Sequence, residues 1–156
     1  MKSFFPEIAR PNLSEKDLEI FHSLDKENYG RELAGKVAEK LKRDPIELNE
    51  DGYYVGSGGL RLSHRDYCGT GLYFFEGKFT LGEVNDGMGP YPVLITFENQ
   101  EEFVEWLASQ SDQSMSLCSR DSFNNQTVTR IRLEYFLDDN YDPVWNSYCA
   151  YVKKRR

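Results

Sequence analysis

The sequence predicts an α+β domain, an antiparallel sheet with an N-terminal helical pair and two further helices packed on it. Three observations predict it. Apolar residues recur at helical spacing near the start of the chain, and the period shifts to two after Ile46. A short all-apolar run at 92–97 then leads straight into an amphipathic helix. The 156 residues fit one domain, 1–156, long enough to bury a core without staples. Ten Phe, ten Tyr and two Trp supply much of that core's area.

Taken in order, Ser14 reads as an N-cap for a helix whose apolar stripe is Leu18, Phe21 and Leu24, ending near Asn28-Tyr29-Gly30. Leu33, Val37 and Leu41 recur every four residues in a second helix over 31–43, and Pro45 closes it. The two helices are expected to cover one face of the sheet. Tyr53-Tyr54-Val55 and Leu60-Arg61-Leu62 suggest short strands separated by Gly56-Ser57-Gly58-Gly59. That glycine loop lacks the Lys and following hydroxyl of a phosphate loop and reads as a hairpin connection.

Glu76-Gly77 reads as a two-residue turn, which sets Phe75 opposite Lys78, Phe74 opposite Phe79, Tyr73 opposite Thr80 and Leu72 opposite Leu81. Alternation then turns Leu72, Phe74, Phe79 and Leu81 to the core. Tyr73, Phe75, Lys78 and Thr80 share the other face, either partly covered or open to a partner. Residues 85–90 are a loop on composition, and 92–97, apolar on both faces, read as a central strand with cover on each side. Asn99 is an N-cap with Glu102 placed to complete a capping box. Phe103, Trp106, Leu107 and Gln110 form the buried stripe that follows, and each of the first three contributes on the order of 2 kcal/mol by burial. Residues 111–126 read as polar loop, Thr129 as the N-cap of a helix over 130–138, and 144–152 as a final edge strand.

Charge is concentrated. Residues 76–112 hold eight acids (76, 83, 86, 98, 101, 102, 105 and 112) against one base, Lys78, a local charge of −7 equal to that of the whole chain. Nucleic acid is excluded as a direct ligand on this balance, because gripping phosphates requires clustered Lys and Arg. The one basic cluster is the tail Lys153-Lys154-Arg155-Arg156, which reads as a solvated end. No run approaches the roughly 20 apolar residues that span a bilayer, and the N-terminal residues do not resemble a signal peptide. A cytoplasmic protein without membrane contact is expected. Three widely spaced cysteines, Cys68, Cys118 and Cys149, read as reduced thiols.

Catalytic patterns are sparse. His64 and Cys68, four apart, would need further ligands for a tetrahedral metal site, and no GxSxG, HExxH or dinucleotide fingerprint occurs. A small hydrolase or nucleotide-modifying enzyme built on His64 and nearby acids is the competing reading, and a generic acidic adaptor is a third. The reading preferred here is a binder of a basic protein, with no catalysis, no metal and no cofactor. Glu76, Glu83 and Asp86 are its candidate carboxylates, and Tyr73, Phe75 and Tyr91 its candidate aromatic anchors.

Two stretches carry a resemblance, PVLITFENQEEFVEWLASQSDQSM (92–115) and NNQTVTRIRLEYFL (124–137). In this order, near the C-terminal end of a small acidic α+β chain, they resemble immunity proteins of bacterial polymorphic toxin systems, particularly those of contact-dependent growth inhibition. The likeness covers about the last third of the chain and is one of pattern. It implies a cytoplasmic antitoxin that binds the C-terminal toxin domain of a cognate effector, commonly a basic nuclease, and blocks its active site or its access to substrate. Strand addition at an open sheet edge is a second mode of binding compatible with it.

Overall fold

In a computed structural model of the chain, which describes residues 14–56, 58–65, 68–84, 90, 93–117, 130–142 and 145–155, helices lie with an antiparallel sheet in an α+β arrangement. Helix α1 (Glu15–Ser23) starts where the Ser14 hydroxyl accepts from the Asp17 amide at 3.1 Å. Helix α2 (Arg31–Arg43) follows Gly30, whose φ of 90° turns the chain at a cost only glycine avoids. The two helices do not share the work expected of them. Helix α2 buries Ala34, Val37, Ala38 and Leu41, whereas α1 buries no side chain and lies beside the short α4 described below.

Strands β1 (Glu47–Leu48) and β2 (Tyr54–Val55) form a small antiparallel ribbon of their own. The main sheet has the order β3-β4-β5-β6, with β3 at Leu60–Arg65, β4 at Cys68–Phe75, β5 at Lys78–Val84 and β6 at Val93–Thr96. Its central register is the one the two-residue turn imposes: Leu72↔Leu81, Tyr73↔Thr80, Phe74↔Phe79 and Phe75↔Lys78. Residues 92–97 are corrected on one point. Among the described residues β6 is an edge strand paired only with β5, and Val93 is 45% exposed. An apolar run signals a demand for burial, which Ile95 and Phe97 meet from one side, and says nothing of how many strands flank it.

Helix α3 (Gln100–Ala108) starts at Asn99, whose side chain accepts from the Glu102 amide at 2.8 Å. It lays Phe103, Trp106 and Leu107 on the sheet, with the Phe103 ring stacked on Phe79 at 4.6 Å. Leu41 of α2 and Leu133 and Phe136 of α5 (Arg130–Phe136) join the same core. Thr129, the expected cap of α5, lies outside the described residues.

Two further expectations are corrected. The stretch read as loop after Gln110 contains helix α4 (Asp112–Ser116), started by a capping box in which Ser111 and Ser114 exchange side-chain and backbone bonds. The expected final strand is helix α6 (Trp145–Arg155). Its β-branched and aromatic content suggested a strand, but Tyr148 and Tyr151, three apart, both meet the ring of Tyr135, at 5.9 and 4.7 Å. That spacing is one helical turn. Among the described residues no helix is long and apolar enough to cross a membrane.

Candidate functional site

The non-core face of β4 is covered, and the cover reorganises the expected site. Ile46 donates its amide to the Phe74 carbonyl at 2.9 Å and forms a parallel bridge with Phe75. The β1–β2 ribbon is thereby hooked beside the end of β4. Beneath it Ile46 and Tyr73 form a second small apolar cluster with Tyr54 and Phe75. Tyr73 is 4% exposed, so it is no accessible anchor. Its ring lies over Gly59 and Gly71, where an added Cβ would sit 2.4 and 2.7 Å from ring atoms. Phe75 is half-buried against Tyr54, with ring centroids 5.9 Å apart. Both aromatics are the footing of the ribbon.

The candidate carboxylates do not form one cluster. Glu76 is exposed at the β4–β5 turn with φ 52°, the one non-glycine positive φ among the described residues. Glu83, half-buried, lies seven residues on in sequence, near the far end of β5 and roughly 20 Å away at strand spacing. Asp86 and Tyr91 lie outside the described residues. Of the other acids in the window, Glu101 pairs with Arg31 of α2. Asp112 is buried and accepts from the Tyr29 hydroxyl at 2.8 Å. Burial pushes the Asp112 carboxyl above the ordinary range, against the lowering effect of the bonds from Tyr29 and the Arg130 amide. One acid of the sequence cluster is thus structural, and another has a local partner.

The ribbon itself carries the residues that sequence reasoning passed over. Three of the five large apolar side chains exposed among the described residues are on it: Leu48, Tyr53 and Val55. Glu47, Glu50 and Asp51 are exposed beside them. The available signal was Asn49-Glu50-Asp51-Gly52, an acidic turn between short apolar runs. Parity was the missing piece, since two-residue strands do not reveal which side faces the sheet.

The register sets His64 opposite Gly69 and Cys68 opposite Arg65 in the β3–β4 pair. Among the described residues no group of three or more His, Cys, Asp or Glu is arranged to hold a metal ion. A groove of about 700 Å³ between α2 and the end of α5 is lined by Glu32, Lys36, Glu39, Lys40, Asp138 and Asp139 among others. Lys40 donates there to the Phe136 carbonyl under the rings of Phe136 and Tyr141, and burial lowers its pKa. Four acids and three bases, Arg43 among them, are mixed around that groove, so it presents no single sign of charge to a ligand.

Compared with protein-family models, with curated proteins and with solved structures, the chain gives no match in any of the three.

Proposed function

We propose that the chain is an immunity protein, an inhibitor that binds a basic toxin domain by charge and shape and carries out no reaction of its own. The toxin it suits is a nuclease-type domain, since such domains are basic where they hold phosphates. The reading draws on the resemblance described above and on the net charge of −7.

The observation that carries it is Glu76. A side chain with a Cβ in the left-handed region costs about 1 kcal/mol, a cost that glycine avoids and asparagine reduces. Here an exposed carboxylate occupies that position at the tip of the β4–β5 hairpin. Strained residues cluster at ligand-contacting and switch sites, which supports a use for Glu76 outside the fold. An exposed charge at a turn tip steers a cationic partner.

Co-expression tests the reading. A toxin domain encoded beside this chain, lethal alone in the host bacterium, is expected to become harmless when the chain is present. The purified pair is expected to form a complex that weakens as salt is raised. Continued killing with the chain soluble and folded, or a complex indifferent to salt, contradicts the proposal.

A further inference from the structure

We infer that the outward face of the β1–β2 ribbon is where the basic partner docks; this rests on the inhibitor reading above and gives it a surface. Register and alternation define the face. Leu48 opposes Tyr54 and Glu47 opposes Val55, and Ile46, two residues before Leu48, is buried against Tyr73. Ile46, Leu48 and Tyr54 therefore share the side turned to the protein, with Leu48 at its open margin. Glu47, Tyr53 and Val55 share the side turned to solvent. Tyr53 is 70% exposed and Val55 41%.

The face is built in advance. The Asn49 side chain accepts from the amides of Asp51 and Tyr53, at 2.9 and 3.0 Å, and Gly52 donates to the Asn49 carbonyl. The Tyr54 hydroxyl donates to the Pro90 carbonyl at 2.8 Å, tying the ribbon to the approach of β6. A tyrosine standing on so fixed a base offers a large amphipathic ring for the freezing of only two side-chain torsions. Centrally placed tyrosines of this kind carry much of the binding energy of protein interfaces.

Charge selects the occupant. Residues 46–56 contain Glu47, Glu50 and Asp51 and no Lys or Arg. The Ile46–Phe75 bridge also brings the start of β1 beside the β4–β5 turn, which adds the exposed carboxylate of Glu76 and one exposed base, Lys78. A second copy of this chain would set these acids against themselves across a two-fold axis. A cationic protein surface with an apolar notch for Tyr53 meets both the ring and the charge.

The test uses the toxin domain encoded beside this chain, inactivated at its catalytic centre, and the full-length chain with Tyr53→Ala, Glu50→Gln/Asp51→Asn or Leu18→Ala. Leu18 is exposed on α1, the helix that lies beside α4, and serves as the control. Tyr53→Ala is expected to weaken the complex roughly 30-fold or more with an unchanged melting temperature. The double acid variant is expected to flatten the salt dependence, and Leu18→Ala to bind as the native chain does. Native-like binding by Tyr53→Ala overturns the surface while leaving the inhibitor reading intact. A native chain that does not bind at all overturns the reading and the surface with it. A homodimer dissolved by Tyr53→Ala identifies the occupant as a second copy and overturns the basic partner.

Discussion

The Tyr29 hydroxyl and the Asp112 carboxylate, 83 residues apart in sequence, meet at 2.8 Å inside the protein. The bond ties the α1–α2 connection to the start of α4, and neighbouring bonds reinforce the joint. Tyr29 donates its amide to the Gln110 carbonyl, Gln113 donates to Asp25, and Arg130 reaches the carbonyls of Tyr29 and Asn28. Asp112 thus belongs to the architecture of the molecule and not to its acidic surface.

Tyr29→Phe leaves the buried carboxylate without one of its donors and is expected to destabilise the fold by about 1.5–3 kcal/mol at neutral pH. Burial already raises the Asp112 pKa, so its contribution to stability is fully present at pH values below the ordinary carboxylate range. It is lost as pH rises through the raised value. The Tyr29→Phe deficit should accordingly be larger at neutral pH than in acid, where the protonated carboxyl tolerates the lost donor. Urea unfolding of both chains across that range measures it. A pH-independent deficit contradicts the role given to Asp112.

Gly59→Ala is expected to cost about 2 to 4 kcal/mol, since the new Cβ would enter the Tyr73 ring from a backbone with φ 97°. Gly35→Ala, on α2 with open space around it, is expected to be neutral or to stabilise by up to about 1 kcal/mol through helix propensity. Thermal unfolding of the pair checks the packing of the ribbon's footing. Similar effects at the two sites would mean that Tyr73 does not occupy that place.

Glu76→Asn separates fold from function by opposite signs. Relief of the left-handed backbone is expected to raise stability by about 0.5–1 kcal/mol. Loss of the charge is expected to weaken the toxin complex by several-fold, mainly through slower association at low salt. Denaturation and stopped-flow binding on one preparation read both. A variant less stable than the native chain contradicts the strain, and an unchanged association rate contradicts the role.

The β4–β5 register was legible because Glu76-Gly77 admits one short turn and alternation then assigns every side chain along both strands. Helix α3 was legible through its cap and its stripe, Asn99 then Phe103, Trp106 and Leu107. What escaped depended on partners distant in sequence. The edge position of β6 follows from which strands pair, and helix α6 from tyrosines that find Tyr135. The burial of Tyr73 follows from a ribbon hooked on by Ile46, nearly thirty residues upstream. Sequence concentration also misled: the acids of 76–112 divide among a turn tip, a strand end, an ion pair with Arg31 and a buried bond to Tyr29.

Hydrogen–deuterium exchange of the chain, free and bound to the inactivated toxin domain, tests the docking of a basic partner most directly. The account predicts slowed exchange across residues 47–56 and at the 75–78 turn, with α1 unchanged. Protection confined to α1, or to the open edge at β6, would contradict it.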